Sequence, residues 1–140
     1  MKILDSINSN QDLKKLSGDE LDKLAQEIRE VLIDVVSKNG GHLASNLGVV
    51  ELTMALHYVY NSPEDKILWD VGHQAYVHKI ITDRKDRIYT IRKKNGLSPF
   101  MSPKESCHDG FITGHAGNIL SAAVCIAVGD KSNRVVEVLG

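Results

Sequence analysis

The sequence has little of what marks secreted, membrane-bound or nucleic-acid-binding proteins. It contains two cysteines, Cys107 and Cys125, which form no CxxC pair, so a disulfide is not expected. The net charge of −1 gives no reason to expect nucleic acid or an anionic membrane as a partner. The longest mostly apolar run, residues 119–128, is far shorter than the roughly 20 residues that span a bilayer. Because the N-terminus also lacks the apolar core of a signal peptide, we expect a cytoplasmic protein.

What is present is the ordinary balance of a globular domain, with 42% hydrophobic and 25% charged residues. Residues 17–20 (SGDE) have the capping-box spacing that starts a helix. The apolar positions that follow recur at helical spacing, and residues 39–41 (NGG) end the helix. A second helix is predicted over about residues 49–60, and residues 84–94 are also expected to be helical.

Two short apolar segments bounded by turns predict strands, at residues 66–70 (KILWD) and 134–140 (RVVEVLG). Between them lie a predicted long loop, residues 95–110, and a helix of small residues, 116–129, in which Cys125 is expected to be buried. Alternating strands and helices predict an α/β fold with a parallel sheet. Since two strands are too few for a finished sheet, we expect an incomplete, helix-rich parallel-sheet domain over residues 1–140.

Three of the six histidines directly follow a glycine, and each lies where a regular element meets a loop: His42, His73 and His115. Glycine lets the backbone approach a ligand closely, and helix N-termini offer free N–H groups to phosphate. Neutral histidine can donate or accept a proton near pH 7. Three such corners could converge on one anionic cofactor. The alternative, that each is a loop histidine bonded to the backbone, stays open at this point.

The remaining histidines and the single tryptophan favour structural roles. No histidine has the HExxH or CxxC-type spacing of a zinc site, so no metal site is predicted. His57 and His78 fall within helical stretches and are expected to be structural, and Trp69, in the first strand, is expected in the core. His108 lies in the long loop and fits either role.

Residues 40–80 (GGHLASNLGVVELTMALHYVYNSPEDKILWDVGHQAYVHKI) resemble the N-terminal part of the 1-deoxy-D-xylulose-5-phosphate synthases, a thiamine-diphosphate-dependent family of the transketolase superfamily. The motifs GGHLASNLG and WDVGHQAY carry the resemblance, and NGLSPF, ESCHDGFITGH and the helix of small residues continue it. It covers about residues 13–140. The resemblance implies the opening part of a diphosphate-binding domain of transketolase type.

The resemblance also implies an activity. The family is a transferase that condenses pyruvate with D-glyceraldehyde 3-phosphate, releases CO2 and feeds isoprenoid, thiamine and pyridoxal phosphate synthesis. The implied cofactors are thiamine diphosphate and Mg²⁺. The thiazolium carbon of the cofactor attacks pyruvate, and the protein orients the cofactor and supplies charge.

Matching positions to the family motifs gives candidate site residues. His42, in GGHLAS, matches the family histidine beside the reacting carbon and is the candidate catalytic residue, for proton handling or substrate orientation. Ser45 is a weaker candidate nearby. The residues that match cofactor contacts near the diphosphate are His73, Gly114, His115 and Ala116.

Two departures from the family pattern affect these expectations. Where the family reads Gly-His-Ser-Ser-Thr-Ser, this sequence reads GHAGNILS, so Ala116 and Gly117 replace hydroxyl donors and leave backbone N–H groups. In the family, the strand matching VVEVLG continues into Gly-Asp-Gly, followed further on by an asparagine, and these residues hold the magnesium. The sequence here ends at Gly140, so we expect this chain to contain no ligands for that ion.

Three functional hypotheses follow. The first, which we prefer, is a fragment whose family function is the synthase. The second is one chain of a split enzyme whose partner supplies the missing aspartate, asparagine and a later glutamate. The third is a non-catalytic binding module that keeps the fold, which the altered GHAGN segment also fits. Co-purification with a complementary chain would distinguish the second from the others.

The first prediction concerns catalysis. We expect the 140-residue chain alone not to catalyse the synthase reaction, because it lacks the family's magnesium ligands and the later glutamate that activates the cofactor. The measurement is CO2 release from pyruvate by the purified chain with thiamine diphosphate and Mg²⁺. Cofactor-dependent release would contradict this expectation.

The second prediction concerns association. Parallel sheets are normally covered on both faces and extended by further strands, and an exposed apolar edge strand is a template for pairing. We therefore expect a homo-oligomer, other self-association or a partly molten state. Size-exclusion chromatography and amide hydrogen exchange test this, and a rigid monomer would contradict it.

Overall fold

Two short helices and one long helix form the first part of the chain, and the two strands come much later. The computed structural model describes all residues, from 1 to 140. None of its helices has the length and apolar character needed to cross a membrane. In chain order the elements are α1 (Ile3–Ser6), α2 (Asn10–Leu13), α3 (Gly18–Asn39), α4 (Leu43–Leu47), α5 (Val50–Val59), β1 (Lys66–Trp69), α6 (Tyr76–Ile81), a 3-10 helix (Lys85–Thr90), α7 (Asn118–Gly129) and β2 (Val135–Val138).

Helix α3 begins and ends where its sequence predicts. The Ser17 side chain accepts a hydrogen bond from the Glu20 amide, and the Glu20 carboxylate accepts one from the Ser17 amide at 2.8 Å, the reciprocal arrangement of a capping box. Gly40, with φ +72°, ends the helix because glycine adopts positive φ without strain. The side chains that α3 buries in the main core are Leu24, Ala25, Ile28, Leu32 and Val35.

The N-terminal segment is fastened to this core by two charged side chains. The Glu27 carboxylate of α3 accepts hydrogen bonds from the amides of Ile3 and Leu4, at 3.1 and 2.7 Å. The Lys85 ammonium donates to three carbonyl oxygens, those of Leu4, Asp5 and Ile7. These contacts place the buried Leu4 and Ile7 side chains against the core.

The two strands pair in parallel, with Lys66 opposite Val135 and Trp69 opposite Val138. The predicted α/β fold class, an incomplete parallel-sheet domain rich in helix, is thereby confirmed. Alternate side chains of β1 point to opposite faces. Leu68 packs against α7, and Ile67 and Trp69 pack in a second cluster. Both faces of β1 are therefore covered, as a buried parallel strand requires.

Helix α7 corrects the expectation for Cys125. The thiol is exposed, because only one stripe of α7 faces the sheet, and that stripe carries Ile119, Ala122, Ala123 and Ile126. Positions four apart lie on one face of a helix, and Cys125 belongs to a different face. Since α7 is apolar on nearly every side, its sequence could not indicate which face is inward. The large exposed apolar side chains of α7 are Leu120, Val124 and Val128.

The segment after α6 is also less helical than predicted. Residues 84–94 form a 3-10 helix over Lys85–Thr90 only, and turns follow in which Arg92 and Asn95 have positive φ values of 66° and 62°. The charged composition of this segment predicts a helix. The left-handed conformation of Arg92 ends any helix before residue 94. The predicted long loop over residues 95–110 contains no helix or strand.

A buried chain of polar groups ties the long loop to α5 and α6. Asp109 accepts two hydrogen bonds from the Arg84 guanidinium, at 2.7 and 2.8 Å, and lies 3.0 Å from His78 Nε2. His78 Nδ1 lies 2.9 Å from His57 Nε2. His57 and His78 are fully buried, as expected of structural residues. A buried carboxylate needs such partners to stay charged.

The protonation states of this chain follow from its environment. Burial would raise the pKa of Asp109, but the hydrogen bonds from His78 and Arg84 outweigh burial and hold that pKa below its usual range. Burial lowers the pKa of His78 against the opposing effect of Asp109, and burial with the neighbouring His78 lowers the pKa of His57 well below 6.5. Both rings are therefore neutral, and His78 donates from Nε2 and accepts at Nδ1 from His57 Nε2.

The third prediction concerns the pH dependence of stability. The pKa of His57 is lower in the folded chain than in the unfolded chain. The contribution of this neutral ring to the free energy of unfolding is therefore present above pH 6.5. It is lost as pH falls below that value, because the unfolded chain takes up the proton. Replacing His57 by Gln keeps an amide donor for His78 but removes one titrating group. The free energy of unfolding, measured with urea at pH 5 and at pH 6, should then depend less steeply on pH, by up to about 1.4 kcal/mol per pH unit. An unchanged slope would contradict the neutral assignment.

Candidate functional site

The candidate site lies at the carboxyl ends of the two parallel strands, where open α/β sheets bind ligands. Asp70 follows β1 directly, and Gly140 comes two residues after β2. A Cβ added at Gly140 would lie 3.1 Å from the Asp70 carbonyl oxygen and 3.4 Å from His73 Cε1. The end of β2 and the turn after β1 are therefore in contact.

His42 and His73 form a ring pair at this edge. Their centroids are 5.2 Å apart, with the ring planes at 67°. His42 is exposed at the start of α4, and His73 is half-buried in the turn between β1 and α6. Burial, and then the neighbouring His42, lower the pKa of His73 below 6.5, although Asp70 opposes this. His73 is therefore a neutral ring at pH 7 that can both donate and accept a hydrogen bond.

The third Gly-His stretch reaches the same edge through its backbone. The Gly117 amide, at the start of α7, donates to the Asp70 carboxylate at 2.8 Å. The residues of this stretch that precede Gly117 are exposed, namely Gly114, His115 and Ala116. The His115 side chain makes no hydrogen bond and is not part of the His42–His73 ring pair. The structure thus brings His42 and His73 together and places the third stretch beside Asp70.

Two of the glycines that precede these histidines are required by close packing. Gly72 has φ +95°, and a Cβ there would overlap the Thr113 hydroxyl. Gly41 has φ +128°, and a Cβ there would lie 2.7 Å from the Tyr76 hydroxyl. The Thr113 hydroxyl also accepts a hydrogen bond from the Met101 amide at 3.1 Å. The absence of side chains at these two positions therefore lets the long loop and α6 approach the histidine turns.

Two further residues at this edge, Asp70 and Tyr76, were not predicted from the sequence. Asp70 stands directly after a buried strand, a position that marks a ligand edge and could have identified it. Tyr76 is fully buried, its hydroxyl has no hydrogen-bond partner, and burial raises its pKa. Only the fold brings that hydroxyl to Gly41. Ser45, the weaker candidate, is half-buried and its hydroxyl makes no hydrogen bond.

The donors at this edge fit a diphosphate better than they fit a metal ion. Neutral His73 offers one ring N–H, and the exposed backbone of residues 114–116 offers further amides beside Gly117, whose own amide is bonded to Asp70. No group of three or more histidine, cysteine, aspartate or glutamate side chains is placed to hold a metal ion. His42 and residues 114–116 are exposed, so the edge is open rather than enclosed.

Comparison with known proteins finds one family that matches nearly the whole chain. Residues 4–140 match the family model described as 1-deoxy-D-xylulose-5-phosphate synthase. A synthase of that name from Thermomicrobium roseum is 60% identical over 129 residues, which cover 91% of this chain and 20% of the relative. Those from Alkaliphilus oremlandii and Syntrophomonas wolfei are 57% and 55% identical over 143 residues, covering 99% of this chain and 23% and 22% of the relatives.

The chain therefore spans about a fifth of the length of the curated relatives that it matches. The match nevertheless includes all three Gly-His stretches and both strands. On this match, which covers nearly every residue, the chain belongs to the 1-deoxy-D-xylulose-5-phosphate synthase family.

Proposed function

We propose that this chain forms part of the cofactor site of a 1-deoxy-D-xylulose-5-phosphate synthase. The reaction joins pyruvate to D-glyceraldehyde 3-phosphate with loss of CO2 and depends on thiamine diphosphate. The observation that carries the proposal is the 5.2 Å ring pair of His42 and His73 at the carboxyl ends of parallel strands, with the entry to α7 tied to the same edge through Asp70. Family membership supports the same assignment.

His73, Gly114, His115 and Ala116 are the proposed contacts to the diphosphate. His73 supplies a neutral N–H donor from a half-buried position, which costs less solvation than a buried charge. The exposed segment before α7 supplies backbone N–H groups, and the N-terminus of this 12-residue helix favours negative charge. Ala116 has no hydroxyl, so its contribution is limited to its amide. A bound Mg²⁺ would need ligands from outside these residues, because this edge holds no metal-ligand cluster.

His42 is the proposed group for handling protons. It is exposed beside His73, so a bound substrate can reach it, and an imidazole ring carries both a proton-donor and a proton-acceptor nitrogen. Thiamine diphosphate, when bound, supplies the carbon nucleophile and stabilises the charge left after decarboxylation. The contribution of His42 is to hold or move a proton at its ring nitrogens and to orient a polar substrate group.

The fourth prediction concerns where the cofactor binds. Titrating thiamine diphosphate with Mg²⁺ into ¹⁵N-labelled chain should shift the amide signals of residues 72–73 and 114–117. Replacing His73 by Ala should raise the apparent Kd by between about 10-fold and 150-fold, because a hydrogen bond to a charged group contributes about 1.5–3 kcal/mol. Thiamine without the diphosphate should shift these signals far less.

The matched control is His108→Ala. His108 is also a half-buried histidine, but it bonds the Ser62 hydroxyl at 2.9 Å, before β1 and therefore at the opposite end of the strand. This variant should bind like the unaltered chain. Shifts confined to another surface, or equal binding by the His73 and His108 variants, would overturn the proposed contacts.

A further inference from the structure

Asn46 is a fully buried side chain in α4 whose hydrogen-bonding groups all have partners. Its Nδ2 donates to the carbonyl oxygen of His42 at 2.7 Å and to that of His73 at 2.8 Å. Its Oδ1 accepts a hydrogen bond from the Tyr76 amide at 2.9 Å. An asparagine amide has two N–H groups and one carbonyl, so both donors are used and the acceptor is occupied.

These three bonds join segments that are far apart in the sequence. His42 stands in the turn between α3 and α4, and His73 stands in the turn between β1 and α6. The hydrogen bonds that link the two turns all come from Asn46, because no backbone–backbone bond connects them. The third bond holds the first residue of α6 in place, and it therefore fixes the direction of the chain where the His73 turn ends and α6 begins.

We propose that Asn46 is the positioning residue that sets the separation of the His42 and His73 rings. It touches the backbone of both histidines and, being fully buried, does not reach a ligand at the open edge. Buried hydrogen bonds of this kind are costly to break, because the freed carbonyls have no water to replace the lost partner. A small displacement of either turn would alter the 5.2 Å ring pair, and sites of this kind depend on such geometry.

The inference deepens the proposed function, and it rests on that function only in treating the two rings as one site. Its test needs no cofactor. In the unaltered chain, an NMR nuclear Overhauser cross-peak should connect ring protons of His42 and His73, and the Asn46 side-chain amide protons should exchange far more slowly than those of exposed asparagines. Fast exchange of the Asn46 amide would overturn the proposal without any variant.

The fifth prediction uses Asn46→Asp, which keeps the shape and the acceptor for Tyr76 but replaces both N–H donors by a carboxylate oxygen facing two carbonyls. The ring cross-peak should be lost. Asn46→Ala, which removes the donors without adding charge, should also lose it and serves if the aspartate variant does not fold. A cross-peak that persists in a folded variant would overturn the proposal.

The control is Asn10→Asp, the same substitution at another buried asparagine. Asn10 is 2% exposed and donates through Nδ2 to the Ser62 carbonyl at 2.9 Å, away from both histidine turns. It should lower stability in a similar way and keep the ring cross-peak, whereas loss of the cross-peak here would mean general loosening and would overturn the proposal. If the Asn46 variants lose the cross-peak but the chain binds no thiamine diphosphate, the positioning role stands and the proposed function fails.

Discussion

The parallel pairing of β1 with β2 is the constraint on which the candidate site depends. Four residue pairs, from Lys66 with Val135 to Trp69 with Val138, align the carboxyl ends of two strands that are some 70 residues apart in the sequence. That alignment brings Gly140 into contact with the His73 turn and lets Asp70 accept the Gly117 amide. Without the pairing, the end of β2 would not reach the edge where the His42 and His73 turns lie, which Asn46 joins.

Much of the fold follows from local sequence, because its signals lie within a few residues of each other. Ser17 and Glu20 set the start of α3, and Gly40 sets its end. The two apolar segments that form the strands were also predicted from the sequence. The exposed position of Cys125 was not, because it depends on which face of α7 meets the sheet. The early end of the 3-10 helix depends on the positive φ of Arg92, and the local sequence does not predict that conformation.

The histidines of the candidate site were predicted from the sequence, but Asp70, Tyr76 and the geometry that joins them were not. The Gly-His dipeptides and the family motifs pointed to His42 and His73, yet nothing in the sequence gives the position of their rings. The hydrogen bonds that bring these turns together come from Asn46, an ordinary polar residue inside a helical motif. The bonds between Arg84 and Asp109, which hold the long loop, likewise join residues 25 apart. Such partners become evident only after the chain has folded.

The fastening of the N-terminus affects where the boundary of this domain can be drawn. A boundary placed at Gly18, where the first long helix begins, looks natural from secondary structure alone. It would remove the amides that Glu27 accepts and the three carbonyls around the Lys85 ammonium, and it would uncover part of the core that Leu4 and Ile7 now fill. Fusions to the N-terminus and shortened versions of this protein should therefore keep the first seven residues as part of the folded unit.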